Sequence, residues 1–145
     1  MKSYADTSFL VSLYGSDVNS RAATSLVQEH RPVFQVTPLG ETEFTSAVFA
    51  VPARPGGWAI SEARSIEEHF TRDLQTGVWQ WEDFPPETWT RARELSHRHG
   101  PALGCGTSDA LHVASALALA ADDFYTFDRD QAKLARAVGL RVLGS

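Results

Sequence analysis

Lys2-Ser3-Tyr4-Ala5-Asp6-Thr7-Ser8-Phe9-Leu10-Val11 carries a short β-forming run into an aspartate and then into an apolar helix start. Phe124-Tyr125-Thr126-Phe127-Asp128 repeats the arrangement near the other end of the chain, with a helical stretch at 131–138 behind it. Both aspartates therefore fall at the carboxyl end of a strand, the edge at which open α/β sheets bind ligands. Two further acids take related positions. Glu43 lies in the helix that follows Val33-Phe34-Gln35-Val36, and Asp109 lies in the first turn of a helix capped by Thr107 or Ser108. Carboxylates gathered without Lys or Arg repel one another and stay ionised only around a positive charge, and hard oxygen donors favour Mg²⁺ or Mn²⁺. The pattern predicts a metal site built from Asp6, Glu43, Asp109 and Asp128.

Between these anchors, strand-like and helix-like stretches alternate. Asn19 or Ser20 caps a helix running to about Glu29, with Ala22, Ala23, Leu26 and Val27 on its apolar face. Thr37-Pro38, a cap followed by proline at the first helical position, opens a helix through Val51. Pro52-Ala53-Arg54-Pro55-Gly56-Gly57 reads as a loop. A helix from Ser61 to about Leu74 turns Ala63, Ile66 and Phe70 inward, and Trp79-Gln80-Trp81 alternates like a strand. Pro85-Pro86-Glu87 starts a helix that Gly100-Pro101 stops, the Asp109 helix continues to Ala121, and Arg141-Val142-Leu143 closes the chain as a strand after Gly139. Strands separated by helices imply right-handed crossovers. They predict one domain over 1–145: an α/β/α sandwich with a central, mainly parallel sheet flanked by helices.

Composition narrows the class. The richest apolar stretch, 110–121, is too short to span a membrane and is interrupted by His112 and Ser115. The first six residues lack the apolar run of a signal peptide, so a cytoplasmic location is the default expectation. Cys105 is the only cysteine, which excludes an internal disulfide and a Cys-based zinc site, and its glycine neighbours suit a loop better than an activated thiol. The formal charge of −5 is not the basic excess of a typical nucleic-acid binder, but setting the four site acids aside leaves the remainder nearly neutral. Only Lys2 and Lys133 are lysines; the other basic residues are arginines, the side chain better suited to bidentate phosphate contact.

Each acid also has a structural reading. Asp6 can serve as a plain helix cap, Asp128 with Gln131 can form a capping box, and Asp109 suits the positive end of its helix. Glu43 is harder to explain this way. It shares a four-residue spacing with Leu39, Ala47 and Val51, positions expected to face inward, where an unpaired glutamate is costly; Glu41 points elsewhere, into solvent. His112 follows Asp109 by three residues but sits among Leu111, Val113 and Ala114 and reads as a packed core histidine, while His97 and His99 read as surface residues. Trp79 and Trp81, on one face of a strand, either stack on bases or pack in the core, and packing is the preferred reading. Arg129 can reach a phosphate or pair with a neighbouring acid.

Tyr4-Ala5-Asp6-Thr7-Ser8, Thr37-Pro38-Leu39 leading to Glu43, Ser108-Asp109-Ala110-Leu111-His112-Val113-Ala114-Ser115-Ala116 and Phe124-Tyr125-Thr126-Phe127-Asp128 resemble the four acidic motifs of PIN domains. The closing Gly139-Leu140-Arg141-Val142 fits as well, so the resemblance covers essentially the whole chain, and a free-standing domain of this length looks most like a VapC-type toxin ribonuclease. The resemblance implies that Asp6, Glu43, Asp109 and Asp128 surround Mg²⁺ or Mn²⁺. Asp130 matches an extra acid that some members carry, and Thr7 matches the hydroxyl residue that braces the first Asp. It further implies a homodimer, a VapB-type antitoxin and an RNA substrate cut by metal-activated water. Residues 51–101 carry no motif, and substrate choice would lie there.

Two rival readings stay open. A phosphotransfer domain also places Asp at strand ends, but a phosphatase of the haloacid-dehalogenase type needs an acid where Ser8 stands, and a receiver needs a late-sheet Lys where only the helical Lys133 is found. The other is a PIN-like module that binds RNA or protein without turnover.

Overall fold

The computed structural model describes residues 1–145. Strands β1 (Ser3–Ala5), β2 (Phe34–Val36), β3 (Gln80–Trp81), β4 (Asp123–Tyr125) and β5 (Arg141–Leu143) form one sheet in the order β3-β2-β1-β4-β5, parallel throughout rather than mainly so. Helices α1 (Thr7–Tyr14), α2 (Ser20–His30), α3 (Pro38–Ala50), α4 (Ile60–Gln75), α5 (Thr88–Leu103), α6 (Thr107–Ala118) and α7 (Arg129–Ala137) complete the anticipated α/β/α sandwich. From β1 the chain builds outward through β2 to β3, then returns across β1 to β4 and β5. The strand order thus reverses between β1 and β4, and such a reversal leaves a crevice at the strands' carboxyl ends.

Pleating divides the core in two. Successive side chains of a strand point to opposite faces, so Tyr4 and Phe124 join Leu95, Leu111, Val113 and Leu134 beneath α5, α6 and α7. Ala5 and Tyr125 join Phe9, Phe34, Phe44 and Phe70 beneath α1 to α4. With both faces covered, the central strands are buried along their whole length, as a parallel sheet requires. No helix is long and apolar enough to cross a membrane.

Three local expectations are corrected. Helix α5 does not stop at Gly100-Pro101 but runs through both to Leu103 and ends at Gly104, whose φ of 64° is the left-handed conformation of a helix terminus and whose N–H reaches the Gly100 carbonyl at 2.7 Å. Pro101 cannot donate to the His97 carbonyl, but this lies in the closing turn and removes only one bond. Helix α6 ends at Ala118, three residues early, because Ala120 adopts φ 57° and the Ala121 N–H turns back onto the Ala116 carbonyl at 2.9 Å. Trp79 and Trp81 do not share a face: Trp79 is buried against Phe34 and donates to the Tyr14 hydroxyl, whereas Trp81 is exposed and donates to Glu41, which is half-buried rather than free in solvent.

Replacing Pro101 by Ala restores an N–H to the last turns of α5. Proline costs a helix about 3 kcal/mol relative to alanine, while it also stiffens the unfolded chain by up to about 1 kcal/mol. Pro101→Ala is therefore expected to raise the thermal midpoint by about 3 °C or more, read by circular dichroism.

Candidate functional site

Asp6 follows β1 directly and is 2% exposed. Its burial is met by donors from both sides of the strand reversal. Oδ1 accepts the Ser8 hydroxyl at 2.7 Å and the Phe9 N–H at 3.0 Å, which caps α1, and Oδ2 accepts the Thr126 hydroxyl from the end of β4. Ser8 in turn accepts the Phe127 N–H at 3.1 Å, and Thr126 accepts the Asp128 N–H at 2.9 Å. Burial pushes the Asp6 carboxyl above its ordinary range even though these donors and the nearby His112 act the other way. Thr7, anticipated as the brace of Asp6, is turned instead to His112 Nε2 at 3.3 Å; the bracing hydroxyls belong to Ser8 and Thr126.

Glu43 is neither unpaired nor on the inward face. Gly40, Phe44 and Val48 point into the core, and Glu43 stands on the flank of α3 with its side chain 30% exposed. Its Oε1 meets His112 Nε2 at 2.8 Å, and Ser108 donates to the same carboxylate at 2.9–3.0 Å. His112 is buried, as the sequence reading has it, but it is not inert. Its Nδ1 lies 2.7 Å from the Tyr4 hydroxyl, so a neutral ring with its proton on Nε2 donates to Glu43 and accepts from Tyr4 at once. Burial alone would raise the Glu43 carboxyl, but His112 and Ser108 outweigh it and hold it below the ordinary carboxylate value.

Asp109, Asp128 and Asp130 form the open side. Asp109 lies in the first turn of α6 and accepts the Gly106 N–H at 3.3 Å, half of a capping box, since Gly106 has no side chain to return the bond. Asp128 caps α7 through Oδ1, which accepts the Asp130 and Gln131 N–H groups. Gln131 does not complete the anticipated box but donates to the Asp109 carbonyl at 3.1 Å, joining the starts of α6 and α7. Burial, and next the charges of Asp128 and Asp130, push the Asp109 carboxyl up. His112 is the group common to the cluster, a lowering influence on the carboxyls of Asp6, Glu43 and Asp109 alike.

The fold therefore draws all five acids to the crevice, with none of them ion-paired to a lysine or arginine. As placed, the side chains are turned onto protein donors, and no three His, Cys, Asp or Glu side chains converge closely enough to hold one ion between them. Sequence reasoning did not foresee that Ser8, Ser108, Thr126 and Tyr4 hold the site. The signals were a serine two residues after Asp6, a serine just before Asp109 and a threonine two before Asp128.

A family model for the PIN domain matches residues 3–137. No curated protein matches the sequence. Among solved structures, the Mycobacterium tuberculosis toxin VapC20, described as cleaving the Sarcin-Ricin loop, is similar with a TM-score of 0.70 at 20% identity over 99% of this chain and 98% of that one. VapBC2 from Rickettsia felis, bound to a DNA fragment from their promoter, is similar with a TM-score of 0.68 at 16% identity over 99% and 98%. At such identities the likeness is one of fold.

Asp6 has a testable signature in metal-free protein. Because its folded pKa lies above the unfolded value, the native state binds more protons in the window between the two, and stability falls as pH rises through it. Asp6→Asn keeps acceptors for Ser8 and Phe9 without the buried charge. In EDTA, its urea midpoint relative to wild type is expected to climb as the pH is taken upward from about 4; a difference independent of pH would contradict the raised pKa.

Proposed function

The chain belongs to the PIN domain family, and from that premise we propose that it is a divalent-metal-dependent endoribonuclease of the VapC toxin type. The observation that carries this reading is the gathering of Asp6, Glu43, Asp109, Asp128 and Asp130 at the strand reversal with no lysine or arginine partner. An all-oxygen donor set of this kind fits Mg²⁺ or Mn²⁺. The upward pressure on Asp6 and Asp109 points the same way, since a cation among them relieves both burial and mutual repulsion.

In this reading Asp109 and Asp128 are the ligands reached first. Each offers one carboxylate oxygen that accepts no bond from the protein, while the other is anchored to a helix N-terminus. Asp6 supplies charge from beneath, and its donors fix where that charge sits. Glu43 is held by His112 and Ser108, ready to complete the ligand set or orient water, and Asp130 adds charge at the rim. The chemistry that a bound divalent ion supplies there is Lewis-acid neutralisation of the charge that builds on a phosphodiester under attack by water. No protein nucleophile is required.

The substrate is RNA, and the partners implied are a VapB-type antitoxin and a second copy of this chain, in the cytoplasm. The likeness in fold to VapC20 and VapBC2 supports that setting. A single domain over 1–145 is part of the same reading, supported by one sheet that uses both ends of the chain.

Purified protein freed of antitoxin is expected to make discrete cuts in a pool of structured RNAs in Mg²⁺ or Mn²⁺. Those cuts should vanish in EDTA, and Asp109→Asn should reduce the rate by about 100-fold or more with its melting curve unchanged. RNA bound but left intact in every metal would replace this reading with a binding module. His112→Ala is expected to raise the Mn²⁺ concentration for half-maximal cleavage by about 10-fold or more, with partial recovery in His112→Gln, which keeps a donor toward Glu43.

A further inference from the structure

A cleft of about 500 Å³ opens beside the acids, lined among others by Thr7, Ser8, Asn19, Phe127, Asp128 and Arg54. A second of about 530 Å³ lies against it and shares Val11, Asp17, Val51 and Arg54, so Arg54 stands on the ridge between the two. Its guanidinium is the one cationic side chain lining either cleft, and it pairs with no carboxylate. Asp17, which lines both, is instead engaged by α1 and its own loop, accepting the Ser12 hydroxyl at 2.9 Å and the Asn19 N–H at 2.8 Å.

The backbone that presents Arg54 is pinned although the side chain is exposed. The 3₁₀ turn Val51–Ala53 closes with the Arg54 N–H on the Val51 carbonyl at 2.9 Å, and the Gly57 N–H returns to the Arg54 carbonyl at 3.1 Å. Gly57 is required there, since a Cβ would lie 2.1 Å from the Val51 carbonyl oxygen. Beyond it, the Trp58 indole donates to the Val48 carbonyl at 3.1 Å and ties the turn back to α3.

An unpaired guanidinium, carried on a pinned backbone in the cleft that leads to Asp128, answers an electrostatic need. The acids that suit a metal repel the polyanionic strand that must reach it, and arginine's planar fork matches a phosphate bidentately. We propose that Arg54 forms a phosphate-binding subsite, gripping a backbone phosphate next to the scissile one and laying the strand along the cleft toward Asp128. This rests on the RNA-cleaving function proposed above.

Steady-state cleavage of one RNA by wild type, Arg54→Ala, Arg54→Lys and Arg72→Ala, over a salt series in Mn²⁺, tests it. Arg72 is an exposed arginine at the far end of α4 and serves as the charge-matched control. Arg54→Ala is expected to raise KM about tenfold with kcat little changed, and to lower the salt dependence of log(1/KM) by about 0.7. Arg54→Lys should keep the salt dependence but recover only part of KM, having the charge without the fork. If Arg54→Ala matches Arg72→Ala in KM and salt dependence, or loses kcat alone, the subsite is overturned while cleavage by these proteins leaves the nuclease standing. If wild type itself cleaves no RNA in any metal, it is the nuclease reading that fails, and the subsite with it.

Discussion

A carboxylate buried where the strand order reverses is the constraint around which this molecule is arranged. Asp6 gives up its hydration between β1 and β4, and an isolated charge cannot do so without large cost. What makes the position tolerable is a set of short-range donors: the Ser8 hydroxyl, the Phe9 N–H and the Thr126 hydroxyl. Those same groups continue to the Phe127 and Asp128 N–H groups and thereby weld the exit of β1 to the exit of β4. The fold and the site are thus held by one network, and altering the carboxylate alters both.

His112 plays the corresponding part between the two helical layers. It belongs to α6 on one face of the sheet, Glu43 belongs to α3 on the other, and Tyr4 rises from the central strand. One imidazole therefore links three elements, and its reach to Asp6 and Asp109 places it at the electrostatic centre of the acids. The carboxylates respond in opposite directions. Glu43 is held ionised by His112 and Ser108, whereas burial pushes Asp6 and Asp109 toward protonation. Only a further cation, or the uptake of a proton, balances the second group.

The acids and the alternation of strand and helix were legible because each leaves a local mark: an aspartate after a β-forming run, or an apolar stripe at helical spacing. Contacts between distant residues leave none. His112 looked like a core residue and is one, yet nothing near it in the chain announces Glu43, 69 residues away. Glu43 was placed on the inward face because Leu39, Ala47 and Val51 share its spacing, but the helix turns Phe44 and Val48 to the core and leaves that row on the flank. Trp79 and Trp81 separate because only Gln80–Trp81 is strand, so period-two alternation does not extend back to Trp79, which turns against Phe34 while Trp81 stays in solvent. Pro101 has the local signature of a helix stop, and the favourable ending at Gly104 overrides it.

By itself the sequence determined the class of fold, the residues that carry negative charge to the sheet edge, and the caps Asp6, Thr37 and Asp128, because propensity, periodicity and capping act over a few residues. The order of the strands, the pairing of Glu43 with His112 and the solitary guanidinium in the cleft were decided only in the tertiary structure. Each depends on which faces meet across the sheet, and that follows from burying the whole apolar surface at once rather than from any one segment.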